Sequence, residues 1–139
     1  MRVRVGERFT ETIVMTPEEV RAFARAANDH NPVHHDEAAA ANSRFKRLIA
    51  SGTQTASRLM AMTANHFSRN TAVLGLDFSV RFHRAVYADE TITLEWEVIG
   101  VQESPTLNGD LVELRGRVTN AAGELAVGAT GRVLVTDKL

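Results

Sequence analysis

The residues best suited to chemistry are an aspartate and a histidine five positions apart, Asp29 and His34, in the run DHNPVH. A carboxylate beside an imidazole can take up and release protons near neutral pH, which is what general acid/base work requires. Asn31 precedes Pro32, and that pairing pushes the backbone out of helical conformation, so both side chains sit on a forced turn. The same residues would equally suit a turn with no chemistry, because Asp and Asn bond their own backbone and a lone His is more often structural than catalytic. His30 and His35 compete with His34 by position, and His35 is expected to point away from it, as a surface or supporting residue.

Other chemistries find less support. There is no cysteine, which removes disulfides, thiolate metal sites and a thiol nucleophile together. His66 and His83 have no carboxylate or histidine at ligand-like spacing, so no metal site is expected. Ser51, Ser57 and Ser79 lack the sharp strand-to-helix context of a hydrolase nucleophile. Arg44, Lys46 and Arg47 crowd one short segment and are candidate phosphate contacts, with solvated loop charges as the simpler reading.

The elements that must position the turn are legible around it. FTETIVM (8 to 14) reads as a first strand. Thr16, Pro17 and Glu19 then supply a cap, a first-turn proline and a capping-box glutamate for a helix whose apolar stripe is Val20, Phe23, Ala24 and Ala27, ending near Asn28 or Asp29. Asp36 can cap a short helix through Glu37 and alanines 38 to 41, and 43 to 50 reads as a loop. Ser51 to Phe67 is the floor of the site. Ser51 and Gln54 form a capping box, Gly52 is the first helical residue, and Arg58 is the only formal charge, so the helix is expected to be buried on almost every side.

Clean alternation follows. Phe78, Val80 and Phe82, then Ile92, Leu94, Trp96 and Val98, then Leu114, Gly116 and Val118, and finally Leu125 to Val135 at every second position, each define a dry strand face. The connections at 88 to 90, 105 to 109 and 120 to 123 are short enough for hairpin-like returns. An antiparallel sheet wrapped round a central helix is an α+β architecture, the hot-dog fold, although other α+β folds also lay a helix on a sheet.

At 139 residues the chain is the size of one domain, 1 to 139. A net charge of -1 and 24% charged residues offer no broad field for nucleic acid or anionic membrane. MRVRVGERFT has no apolar run behind its arginines and no stretch is long enough to span a bilayer, so a cytoplasmic protein is expected.

Residues 20 to 60, containing FARAANDHNPVHHDEAAAANSRFKRLIASGTQTAS, resemble the signature region of the MaoC-like dehydratases, the family that includes the (R)-specific enoyl-CoA hydratases. The resemblance implies that Asp29 and His34 activate a water for addition to a trans-2-enoyl thioester, that the Gly52 N–H binds the thioester carbonyl, and that Asn31 and Pro32 shape the turn. It also implies a homodimer and coenzyme A as part of the substrate, with no separate cofactor and no metal; Arg44, Lys46 and Arg47 then become candidate contacts to its phosphates. An acyl-CoA thioesterase and a non-catalytic acyl-CoA-binding subunit are the alternatives. Ser51 stands where many members carry histidine before the glycine, and His35 where an apolar residue is common.

Overall fold

The computed structural model describes residues 2–138. β1 (Arg8–Val14) leads into α1 (Pro17–Ala26), a one-turn 3-10 helix (Pro32–His34), α2 (Glu37–Ala41) and α3 (Gly52–Phe67). β2 (Thr71–Phe82), β3 (Thr91–Ser104), β4 (Gly109–Asn120) and β5 (Leu125–Asp137) complete the chain. The strands form one antiparallel sheet in the order β1-β3-β4-β5-β2, with α3 against its dry face. This is the α+β hot-dog arrangement expected from the alternation.

The sheet wraps because its largest side chains face glycines. Trp96 on β3 lies opposite Gly116 on β4, and Phe78 on β2 opposite Gly131 on β5. A Cβ at either glycine would fall within 2.7 Å of the facing aromatic ring. The two rings meet edge-on at 5.9 Å, and the Trp96 indole N–H donates to the Leu59 carbonyl at 2.7 Å. One fully buried residue thereby ties the sheet to α3, satisfying the polar edge that burial of a tryptophan demands. Thr93, Glu95 and Glu97 turn the other way, where Glu97 pairs with Arg8 and Arg115 across three strands.

In the sheet and in the burial of α3 the structure departs from the sequence reading in four places. β2 begins at Thr71, well before the alternating stretch, because a bulge between Gly75 and Asp77 breaks the period of two that would have revealed it. The 88 to 90 connection is no hairpin: β2 pairs with β5 and β3 with β1, so the segment crosses the sheet. Phe82, expected on the dry face, is 53% exposed at the end of edge strand β2. Helix α3 is buried on one side only, through Gln54, Thr55, Leu59, Met62, Thr63 and Phe67, while Met60 is exposed. A run of small uncharged residues is neutral between core and surface, and low charge alone overstated its burial. Among the described residues no helix is long and apolar enough to cross a membrane.

Candidate active site

The Asp29–His34 turn is built by a chain of local hydrogen bonds that its residue types dictate. Thr16 caps α1 by accepting from the Glu19 amide. At the other end Asn28 takes a left-handed conformation (φ 60°), its amide reaching the Arg25 carbonyl and that of Asp29 the Ala24 carbonyl, which closes the helix as a Schellman motif. Asp29 Oδ1 then accepts from the Asn31 amide at 3.1 Å, and Asn31 Oδ1 from the Val33 amide at 3.4 Å. Pro32 opens the 3-10 turn that carries His34. Two side chains brace it from outside: the Arg21 Nε–H donates to the His35 carbonyl, and His35 Nε2 lies 2.6 Å from the Asp29 carbonyl. His35 therefore holds up the turn through the Asp29 backbone, while His34 faces the Asp29 side chain.

This turn brings Asp29 Oδ2 to 3.5 Å from His34 Nε2. His34 is 6% exposed, and its Nδ1 lies 2.8 Å from the Ile49 carbonyl. A carbonyl oxygen only accepts, so Nδ1 carries a proton, and in the neutral ring Nε2 presents a lone pair toward the carboxylate. The Asn31 amide holds the Asp29 carboxyl below the usual carboxylate range; partial burial opposes this, and the Ser51 hydroxyl, His34 and His35 add to the lowering. The pair is thus an ionised carboxylate facing an imidazole whose far nitrogen is committed.

The loop before α3 is pinned from both sides. The Ile49 amide donates to the Val33 carbonyl, the Ala50 amide to Val86, and the Ala88 amide to Leu48. These bonds carry Ser51 to the Asp29 carboxylate, where its hydroxyl donates to Oδ2 at 3.1 Å. The expected capping box is therefore not made: Ser51 forms no side-chain cap, and Gln54 Oε1 is buried without a hydrogen-bond partner. Capping needs the serine oxygen turned back to accept a first-turn amide, whereas donation to the Asp29 carboxylate, a charge-assisted bond, turns the hydroxyl toward the carboxylate instead.

His34 and Gly52 both line a cavity of about 340 Å³, walled by Phe45, Phe82, Arg84 and Val127 among others. That is within the usual size of a small-molecule site. As the first residue of α3, Gly52 has an N–H with no carbonyl one turn earlier in the helix. Its Cα faces the Phe82 ring so closely that a Cβ would sit 2.9 Å from it. Asp29 is not in the cavity wall, although about a third (32%) of its side chain stays open. Arg44, Lys46 and Arg47 are exposed, and the Arg47 guanidinium stacks 4.1 Å over the Tyr87 ring. Phe82 and Arg84 were not foreseen as site residues, since they arrive from the end of β2 by way of the sheet and no local motif marks them. Among the described residues no three His, Asp or Glu side chains gather as a metal would require; His66 instead pairs with Glu7 at 2.6 Å, fifty-nine positions away.

Comparison with known proteins agrees with this architecture. The chain is 32% identical over 117 residues to the (R)-specific enoyl-CoA hydratase of Aeromonas caviae, covering 84% of this chain and 82% of that one. It is 26% identical over 125 residues to the mitochondrial 3-hydroxyacyl-[acyl-carrier-protein] dehydratase of Arabidopsis thaliana, covering 90% and 72%. The R-hydratase PhaJ1 from Pseudomonas aeruginosa superposes with a TM-score of 0.84 at 28% identity, over 98% of this chain and 84% of that one. The model of the MaoC like domain matches residues 4–120, which span the Asp29–His34 turn, the start of α3 and the sheet up to the end of β4, and the chain belongs to that family.

Proposed function

We propose that this protein adds water reversibly to the double bond of a trans-2-enoyl-CoA, or a related enoyl thioester, to give an (R)-3-hydroxyacyl thioester. The observation that carries the reading is the Asp29 Oδ2–His34 Nε2 pair at 3.5 Å with His34 Nδ1 committed to Ile49. With the imidazole in its neutral form, the carboxylate and Nε2 can both accept from a single water and leave its oxygen lone pairs free to attack. The oxygen bonds to the β-carbon, one water proton passes to the pair, and the α-carbon is protonated from the same pair. Charge that gathers on the thioester oxygen meets the Gly52 N–H at the positive end of α3. Dehydration runs the same steps backward. The relatives named as (R)-hydratases support both the reaction and its stereochemistry.

In this reading the apolar cavity takes the acyl chain, and Arg44, Lys46 and Arg47 lie on the surface for the coenzyme A phosphates. A second copy pairs along edge strand β2, which carries exposed Leu74, Leu76 and Phe82. The deciding experiment is a panel of saturated and trans-2-enoyl thioesters, on coenzyme A and on acyl carrier protein, followed for enoyl absorbance and for thiol release. With no cysteine in the chain, a thiol reagent meets no protein background. Loss of enoyl absorbance without thiol release is expected. Fast thiol release from saturated substrates would make the protein a thioesterase, and binding without either signal would make it an acyl-CoA-binding subunit.

A further inference from the structure

Ser51 occupies the N-cap position of the longest helix, with the extended backbone (φ -60°, ψ 138°) that a capping serine adopts. The corresponding residues of the other helices, Thr16, Asn31 and Asp36, all accept an amide from their own first turn. Ser51 does not. Its hydroxyl is turned away from its helix and donates to Asp29 Oδ2, in a residue only 1% exposed. An ionised carboxylate only accepts, so the direction of this bond is unambiguous. The oxygen it reaches is the same one that faces His34 Nε2, while Oδ1 is held by the Asn31 amide.

Each carboxylate oxygen thus has its own anchor. The Asn31 bond is internal to the turn and locates the group, but it leaves the carboxylate free to swing about its own axis. Ser51 removes that freedom from the opposite side. It also couples the carboxylate to α3 one residue before Gly52, so one residue joins the two halves of the site, hydrogen-bonded to Asp29 and covalently next to Gly52. Ser51, like Asp29, lies outside the cavity wall, and its hydroxyl is joined to the site through the Asp29 carboxylate.

We propose that Ser51 is a positioning residue, whose hydroxyl keeps the Asp29 carboxylate aimed at His34 Nε2 and sets that aim relative to the Gly52 N–H. The kinetic half of this rests on the hydration reading above; the hydrogen bond itself does not. The groups facing the carboxylate are the Asn31 amide, Ser51, His34 and His35, and of these only Ser51 lies outside the 29–35 turn.

The test pairs Ser51→Ala with Ser51→Thr, which restores a hydroxyl, and reads the Asp29 side-chain carboxyl by carbon NMR across an acid titration. In Ser51→Ala the Asp29 midpoint is expected to rise, and in Ser51→Thr to return toward wild type. On an enoyl thioester, kcat in Ser51→Ala is expected to fall about tenfold with KM nearly unchanged, as for loss of one hydrogen bond to a partly solvated charge outside the binding wall. A residue that merely stabilised the fold would lower melting temperature and move neither midpoint nor kcat. Should Ser51→Ala fail to fold, Ser51→Gly removes the same hydroxyl at a position where glycine caps well. An unmoved Asp29 midpoint in the folded hydroxyl-free variant overturns the proposal. A moved midpoint in a protein that hydrates no enoyl thioester upholds the hydrogen bond and overturns the hydration reading instead.

Discussion

Asp29→Asn is the most discriminating substitution because the amide is nearly isosteric and almost every other bond in the turn survives it. The side-chain carbonyl can take the place of Oδ1 and still accept from the Asn31 amide. The amide nitrogen then stands where Oδ2 stood, 3.5 Å from His34 Nε2, and the Ser51 hydroxyl can rotate to accept from it. The effect is an inversion: a group that held an acceptor toward the water now points an N–H donor at the lone pair of His34. Both acceptors of the attacking water are lost in one step, with the cavity wall and Gly52 untouched. Removing a positioned acid/base group typically costs 10²- to 10⁴-fold, so kcat for enoyl thioester hydration is expected to fall about a thousandfold in a protein that still folds, with a somewhat lower melting temperature at neutral pH because the favoured carboxylate is gone. His34→Ala is less clean, since it also strips the Ile49 carbonyl of its partner, at about 1–3 kcal/mol of stability. The assay is loss of enoyl absorbance at saturating substrate, with circular dichroism on the same preparation. A folded Asp29→Asn protein within tenfold of wild-type kcat would refute the water-sharing argument.

Three further outcomes follow from the geometry. Gly52→Ala places a methyl 2.9 Å from the exposed Phe82 ring, which can swing aside, so the variant is expected to fold normally while hydration falls at least tenfold as the displaced ring and new methyl crowd the N–H; steady-state kinetics and a melting curve separate the two. Gly116→Ala sets a methyl within 2.7 Å of the fully buried Trp96 ring, and overpacking there is expected to cost about 1–3 kcal/mol by denaturant titration. Asp29 and Asp137 both have carboxyls held below their ordinary range, the first chiefly by the Asn31 amide and the second by its Arg2 hydrogen bond. Their ionised forms are favoured by the native state, so the stability they contribute is complete above the unfolded value of roughly 3.9 and is lost as pH falls through the native values. The melting temperature of Asp137→Asn is accordingly expected to lie below wild type at neutral pH and to converge with it as pH falls through the lowered native value of Asp137.

How far the site could be read in advance depended on whether its bonds were local. Asp29, Asn31, Pro32 and His34 bond within a few residues of themselves, and turn chemistry is written in residue type, so the run DHNPVH announced its own conformation. Asp36 and Thr16 declared their helices for the same reason. Period-two alternation exposed β3, β4 and β5 because each has one wet and one dry face, and failed for the first half of β2, where a bulge interrupts it.

Ser51 marks the boundary. By itself a serine before a helix start, followed by Gln54, is a capping box, and residue type could argue for nothing else. Only the tertiary fold places the Asp29 carboxylate against that hydroxyl, twenty-two residues away, and turns a cap into a brace. Phe82 and Arg84 reach the cavity in the same way, delivered by the pairing of β2 with β5 rather than by any local signal. The sequence by itself determined the turn that carries Asp29 and His34 and the helices around it, because these rest on short-range hydrogen bonding and periodicity. What faces Gly52, what holds Asp29 in place and how open the cavity stands were decided by contacts between segments far apart in the chain, whose geometry depends on the packed whole.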